Sequence, residues 1–145
     1  MKEIMSNDLR ARLYEVYEAF REGRIDSALK FFDENAVFTS YAPVDIFPHL
    51  GRQVGKPAIA AMMANMHAEF EHLTYSPIFM VAERDAAAAI IMVRLRQRST
   101  SRIIHLFSAH FAQSHDGMVS EIREFMDSFD AVQQVLGREL DLLKR

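Results

Sequence analysis

The stretch IIHLFSAHFAQSHDGMVSEIREFM, residues 103–126, decides how this chain folds. Two runs rich in β-forming residues flank Asp116 and Gly117, and an Asp-Gly pair in that setting is typical of a two-residue type I′ hairpin turn. If the two strands then pair without interruption, Ala109 lies opposite Glu124. The stretch therefore predicts a long antiparallel hairpin at the end of a sheet.

Alternation along this hairpin separates two faces, because successive side chains of a strand point to opposite sides. The preceding strand continues the apolar face through Ile91, Val93 and Leu95. We expect this face to line a core or pocket, and on the hairpin it carries His105, Phe107, Ala109, Phe111, Ile122, Glu124 and Met126. The opposite face, which includes Ser108, His110 and Arg94, is predicted to meet solvent or a partner.

Helical patterns precede the strands. Apolar residues recur at helical spacing over residues 9–20, and Gly23 is suited to end that first helix. A short helix over residues 26–32 and a strand over residues 36–41 are predicted to follow. The first third of the chain is thus predicted to contain two helices and the first strand.

A loop over residues 43–55 is expected to form the rim of a pocket, since it contains prolines and glycines. Pro57 suits the first turn of a methionine-rich helix that is predicted to run to residue 72. Residues 78–82 and 87–97 have the composition of strands. Helices followed by an antiparallel meander predict a single α+β domain over residues 1–145.

Composition narrows the classes of function. The chain has 145 residues, half of them hydrophobic, which is enough to bury one core. The formal net charge of -3 disfavours nucleic-acid binding, and the absence of cysteine excludes disulfides and thiolate metal sites. No stretch approaches the roughly 20 apolar residues of a membrane span, and the first residues lack the pattern of a secretory signal. We therefore expect a cytoplasmic protein.

Three segments together resemble the nuclear transport factor 2-like superfamily, in particular its SnoaL-like polyketide cyclase and ketosteroid isomerase group. They are FREGRID (20–26) leading to FFDENAV (31–37), GKPAI (55–59), and Asp116-Gly117 continuing to Met126-Asp127 and QQVLG (133–137). The resemblance covers nearly the whole chain. It implies a cone-shaped, curved antiparallel sheet wrapped around N-terminal helices, a cystatin-like roll, which commonly forms a homodimer through the sheet.

The resemblance also implies where a catalytic acid would lie. Ketosteroid isomerases use two aspartates and a tyrosine, and by spacing those positions here hold Ser40, Ala109 and Val16, so that mechanism is disfavoured. Polyketide cyclases of the group place an acidic base on the final strand, where Glu124 fits. They often have an aspartate where that strand ends, and Asp127 is similar to it.

The candidate catalytic residues are Glu124, Asp127, His105 and Tyr41. Glu124 is expected to act as general base, with Tyr41 or His105 polarising a carbonyl oxygen. Each has a structural alternative: Glu124 as a solvated or arginine-paired carboxylate, His105 as a packed histidine, and Asp127 as the N-cap of a final helix. Residues expected to bind the ligand are Val16, Tyr17, Met62, Met66, Phe107, Ala109, Ile122 and Met126.

No metal or cofactor is expected, since His67 and His72 are five residues apart, unlike the i, i+4 pair of a helical metal site. Two functions remain open. One is a cofactor-free isomerase or cyclase that uses an acidic base on a carbonyl group of a small hydrophobic or polycyclic molecule. The other is a non-catalytic ligand-binding or dimerisation domain of the same fold, so whether the chain is an enzyme stays open.

Overall fold

The computed structural model describes residues 8–138, which form four helices and six strands. The helices are α1 (Asp8–Arg21), α2 (Ile25–Leu29), α3 (Lys56–Glu69) and α4 (Ser128–Leu136). The strands are β1 (Phe32–Ser40), β2 (Arg52–Val54), β3 (Phe70–Glu83), β4 (Ala86–Gln97), β5 (Ile103–His115) and β6 (Met118–Met126). Two helices thus precede the first strand, as the sequence predicts.

The strands form one curved, unclosed sheet in the order β2-β1-β6-β5-β4-β3. Neighbours pair in antiparallel fashion except β1 and β6, which are parallel. Helix α1 packs mainly against β3, and α3 also contacts β1, β2 and β3. The predicted α+β class, with N-terminal helices against a curved sheet, is confirmed.

Helix α1 forms because its apolar residues fall on one side at intervals of three and four. The buried residues on that side are Leu9, Leu13, Val16, Tyr17 and Phe20. Gly23, with a φ of 77°, follows the end of the helix in the left-handed conformation that glycine adopts without strain. This side of α1 forms one wall of the interior.

Two helix predictions extend too far along the chain. The second helix ends at Leu29 and the third at Glu69, and the strands that follow begin at Phe32 and Phe70. Both phenylalanines are almost completely buried, and Phe70 and His72 are buried on the same side of β3. Burial at every second residue is the pattern of a strand, so packing overrides helix propensity at these two points.

The hairpin turn is as predicted, but the pairing beyond it is not. Asp116 and Gly117 both have positive φ, 49° and 78°, as a type I′ turn requires. Ser114 pairs with Val119, whereas the next pair is Gln113 with Glu121, which leaves Ser120 as a β-bulge. Beyond the bulge, Glu124 lies opposite His110, and the predicted pairing with Ala109 is wrong.

The bulge reverses the predicted faces of β5, while those of β4 and β6 are as expected. Ile91, Val93 and Leu95 are buried on β4, and Ile122 and Glu124 are buried on β6. On β5, however, the buried residues are Ile104, Leu106, Ser108, His110 and Ala112, and the exposed ones include His105, Phe107 and Phe111. The face that the sequence assigned to solvent is therefore the interior face of this strand.

Candidate active site

A cavity of about 80 Å³ lies between the sheet, α1 and α3. Most of its wall is apolar, contributed by Val16, Phe20, Phe32, Phe38, Phe47, Leu50, Met62, Met63, Met66, Val93, Leu95, Leu106, Ile122 and Met126. Six polar side chains also line it: Tyr17, His72, Tyr75, Ser108, His110 and Glu124. An apolar cavity with a few converging polar groups is the usual form of a small-molecule site.

Four of the polar residues around the cavity form one chain of hydrogen bonds, here called the carboxylate network. Glu124 is 6% exposed and accepts from Ser40 Oγ at 2.8 Å through Oε1. Its Oε2 lies 2.8 Å from His110 Nε2, and His110 Nδ1 lies 3.1 Å from the Tyr17 hydroxyl. The network joins β1, β6, β5 and α1, so four separate elements fix the carboxylate.

Tyr17 sets the direction of this chain. Burial, and to a lesser extent the nearby charge of Glu124, raise the pKa of the Tyr17 phenol above its ordinary value, so the phenol keeps its proton. With a neutral imidazole, Tyr17 then donates to His110 Nδ1, and Nε2 carries the proton that His110 donates to Glu124. Both carboxylate oxygens of Glu124 are thus held by donors.

Tyr75 on β3 is a second phenol in the cavity wall. Its ring centre is 5.8 Å from that of Tyr17 and 6.5 Å from that of His110. Burial, followed by the Glu124 charge and Tyr17, raises its pKa well above the ordinary value. Within residues 8–138 the Tyr75 hydroxyl has no hydrogen-bond partner. Every fully buried side-chain nitrogen or oxygen in that part of the chain does have a partner, so the Tyr75 hydroxyl is not fully buried and is accessible. It is a protonated donor available to a ligand.

His72 lines the same cavity from β3. Its Nδ1 lies 3.2 Å from the carbonyl oxygen of Phe70, and its ring centre is 4.1 Å from that of His67. Burial, followed by the neighbouring His67, lowers the pKa of His72 to about 3. The ring is therefore neutral at ordinary pH and is not suited to accept a proton in catalysis.

Seven predicted residues come together in this cavity. Glu124 lies in its wall, and so do the expected ligand-binding residues Val16, Tyr17, Met62, Met66, Ile122 and Met126. Phe107 and Ala109 do not line it, because the bulge at Ser120 places their side chains on the outer face of β5. The catalytic role of Glu124 stays a prediction.

Three predicted catalytic residues lie away from the cavity. Tyr41 is half exposed and its ring stacks on Phe125 at 4.5 Å, while His105 is exposed on the outer face of β5. Asp127 is the N-cap of α4, where its side chain accepts from the Asp130 amide at 3.1 Å. The geometry favours the structural alternative for Asp127, and it does not bring Tyr41 or His105 to the carboxylate.

Sequence reasoning missed His110, Tyr75 and His72 as residues of the site. The sequence places His110 on the outer face, because regular pairing after the turn puts it on the side opposite Glu124. The sequence offers no signal against that assignment, because Ser108 and His110 alternate with Phe107 and Phe111, the usual pattern of a strand with a polar outer face. Ser40 was identified by its isomerase-like position, and it does contact Glu124, although it carries no acid.

The described part of the chain contains no group of three histidine, cysteine, aspartate or glutamate residues placed to hold a metal ion. Among residues 8–138, no helix is long and apolar enough to cross a membrane. The polar groups that line the cavity are a carboxylate, two imidazoles and three hydroxyls.

The helices, the curved sheet and the cavity between them define the chain as a nuclear transport factor 2-like α+β protein. A family model described as a SnoaL-like domain matches residues 13–131, and the chain belongs to that family. No curated protein matches this chain.

Solved structures agree with this fold. A candidate isomerase from Rhodopseudomonas palustris is 26% identical, with a TM-score of 0.81 over 90% of this chain and 97% of the other. A nuclear transport factor 2-like protein from Burkholderia xenovorans is 18% identical, with a TM-score of 0.77 over 90% and 97%. A candidate polyketide cyclase from Xanthomonas campestris is 19% identical, with a TM-score of 0.78 over 90% and 98%.

Proposed function

We propose that this protein is a cofactor-free enzyme that moves a proton at the carbon next to a carbonyl group of a small molecule, with Glu124 as the general base. The observation that supports this most directly is a carboxylate held by Ser40 and His110 in the wall of an apolar cavity. A fixed base in such a setting is pre-organised for proton transfer. The SnoaL-like family and a relative named as a candidate isomerase agree with this class of reaction.

The two hydrogen bonds on Glu124 leave it able to act as a base. An ionised carboxylate offers about four lone-pair positions, and Ser40 and His110 each occupy one. The remaining positions are available to a C–H group in the cavity. Ser40 and His110 thus orient the carboxylate without blocking it.

Tyr75 is the group best placed to polarise the carbonyl oxygen, a role that the sequence assigned to Tyr41 or His105. Glu124 takes the proton, the C–H electron pair becomes the new C=C bond, and the C=O π pair moves to oxygen. Tyr75 stabilises this oxygen by donating a hydrogen bond and keeps its own proton, because burial raises its pKa. Return of the proton from Glu124 to the same carbon, or to a conjugated one, regenerates the carboxylate.

The size of the cavity favours a small substrate. An apolar cavity of about 150 Å³ admits benzene, whereas this one measures about 80 Å³. A five-membered cyclic ketone requires little adjustment of the wall. A polycyclic molecule, which the sequence also suggested, requires the flexible side chains of Met62, Met63 and Met66 to move.

Deuterium exchange tests the chemistry without knowledge of the natural substrate. Cyclopentanone in D2O is incubated with the protein, and incorporation next to the carbonyl is followed by NMR. We expect exchange above the buffer rate, and a loss of about 100-fold or more in Glu124→Gln, the range typical of removing a general base. Glu121→Gln, on the same strand but paired with Arg123, is the matched control and should exchange like the wild type.

Two results would count against catalysis by Glu124. The first is exchange by Glu124→Gln at the wild-type rate. The second is a wild-type protein that binds cyclopentanone, as shown by NMR titration, but does not accelerate exchange. That second result favours the other function, a non-catalytic ligand-binding domain in which Glu124 only anchors a polar group.

We also propose that the outer face of the sheet binds a second copy of the chain. Four apolar residues on the adjacent strands β4, β5 and β6 are 39–51% exposed and form an outer apolar patch: Ile90, Phe107, Phe111 and Phe125. Phe111 and Phe125 are in edge contact, with ring centres 5.8 Å apart. Contiguous exposed apolar surface of this kind is typical of an interface.

The oligomeric state tests this second proposal. Sedimentation velocity should show a dimer for the wild type and a monomer when Phe107 and Phe111 are both changed to serine. Phe129→Ser is the control, since Phe129 is equally exposed but lies on α4. A monomeric wild type, or a double variant that stays dimeric, would exclude this face as the dimer interface.

A further inference from the structure

We infer that His72 determines specificity by accepting a hydrogen bond from an O–H or N–H group of the ligand. This inference rests on the proposed use of the cavity and names a chemical feature of its ligand: a hydrogen-bond donor held apart from the carbonyl group. Glu124 and Tyr75 act on the reacting carbon and oxygen, whereas His72 recognises a different part of the molecule.

The hydrogen bonding of His72 fixes which ring nitrogen accepts. Nδ1 lies 3.2 Å from the carbonyl oxygen of Phe70, and a carbonyl oxygen only accepts, so Nδ1 carries the proton. The pKa of about 3 keeps the ring at a single proton at neutral pH, which leaves Nε2 with a free lone pair. The neutral tautomer of His72 is thereby set by the backbone of its own strand.

Nε2 is also accessible. Among the described residues, Nε2 of His72 has no hydrogen-bond partner. Every fully buried side-chain nitrogen or oxygen there does have a partner, so Nε2 is not fully buried. His72 lines the cavity and is 8% exposed, so the lone pair is accessible from a site that is otherwise largely apolar. A ligand with a donor satisfies this atom, whereas one without a donor desolvates it and leaves it unpaired.

Packing holds the ring in this orientation. The centre of the Phe20 ring is 4.8 Å from that of His72 in an edge contact, and the centre of the His67 ring is 4.1 Å from it, with the two imidazole planes tilted by 36°. His67 is itself tied to the carbonyl of Phe20. A ring fixed by two neighbours loses little entropy when it accepts a hydrogen bond, which makes it an effective selector.

The position of His72 indicates the spacing of the ligand's polar groups. The centre of the Tyr75 ring is 6.2 Å from that of His72 and 6.5 Å from that of His110. A small ketone whose hydroxyl or amine is a few bonds from the carbonyl can therefore contact Tyr75 and His72 together. Hydroxyketones are the simplest class with this pattern.

The test compares two probes that differ by one hydroxyl, cyclopentanone and 3-hydroxycyclopentanone. Their dissociation constants are measured by NMR titration for the wild type, His72→Phe and His72→Gln. We expect the wild type to prefer the hydroxylated probe about 5- to 10-fold, the value of one hydrogen bond. His72→Phe should lose the preference, and His72→Gln, whose side-chain amide retains an acceptor, should keep part of it.

Two further measurements separate this inference from the proposed function and from misfolding. The titrations are repeated in Glu124→Gln. The preference for the hydroxylated probe should persist there, because it depends on His72 and not on catalysis by Glu124. In wild-type protein labelled with ¹⁵N-histidine, the Nε2 resonance of His72 should move on addition of 3-hydroxycyclopentanone and not of cyclopentanone. Equal binding of the two probes, binding of neither, or an unchanged preference in His72→Phe would overturn the inference.

Discussion

The two faces of β5 differ in polarity, and in each case the polarity is the reverse of the usual one: polar side chains lie on the inner face and phenylalanines on the outer face. The inner face carries Ser108 and His110, while the outer face carries Phe107 and Phe111. The inner polar groups are satisfied or available to a ligand, since His110 is hydrogen-bonded on both ring nitrogens. The comparison shows that polarity alone does not identify the interior face of a strand that lines a cavity on one side and carries exposed phenylalanines on the other.

The largest expected difference between the faces comes from two histidines on this strand. His110→Leu removes two hydrogen bonds and leaves the buried carboxylate of Glu124 without its imidazole partner, so we expect a loss of about 3 kcal/mol in the free energy of unfolding. His105→Leu, the same change on the outer face, should cost less than about 0.5 kcal/mol. Urea unfolding at pH 7 measures both, and equal losses would contradict the assignment of faces.

The second prediction concerns pH and the inner residue His72. Its pKa is about 3 in the folded protein against an ordinary value of 6.5, so the unfolded chain binds a proton first as the pH falls. Its contribution is fully present above about pH 6.5 and is lost as the pH falls towards 3. The stability of the wild type should therefore drop by about 2 kcal/mol more than that of His72→Phe between pH 7 and pH 5.

The matched control for this prediction is His115→Phe. His115 is an exposed histidine whose side chain is 78% accessible, so its removal should leave the pH dependence of the wild type unchanged. Parallel pH profiles for the wild type and His72→Phe would show that His72 titrates normally. The profiles are obtained from urea unfolding at four pH values, with the folded state checked by circular dichroism.

The smallest expected difference comes from two tyrosines. Tyr17→Phe removes the hydroxyl that donates to His110 and should cost about 1 kcal/mol in the free energy of unfolding. Tyr41→Phe removes an exposed hydroxyl outside the cavity, and its effect should stay below about 0.5 kcal/mol. A larger loss of unfolding free energy in Tyr41→Phe than in Tyr17→Phe would contradict the stabilising role of the carboxylate network.

Patterns within single elements allowed much of the fold to be predicted. The period of α1, the Asp116-Gly117 turn and the N-cap at Asp127 are all local features, and each is present in the structure. The burial of Glu124 and Ile122 also followed from alternation along β6 alone. These predictions depend on short-range geometry, which the sequence determines directly.

The relation between strands was harder to predict. A bulge such as that at Ser120 has a weak sequence pattern, and one extra residue changes every pairing beyond it. Both faces of β5 carry large apolar residues, so Leu106 and Phe107 gave no means of correcting the error. Tyr75 and His72 were missed because a strand was not predicted to begin as early as Phe70.

The bulge at Ser120 also has a consequence for inferring homology. Consider a relative without the extra residue, aligned to this chain without a gap so that the residues after Ser120 match. Each position before Ser120 is then matched to the neighbour of its true equivalent, whose side chain points to the opposite side of the strand. Catalytic positions copied from such a relative would fall on Ala109, although His110 is the residue beside the carboxylate. The register of β5 against β6 therefore has to be established before the residues of a relative are matched to those of this chain.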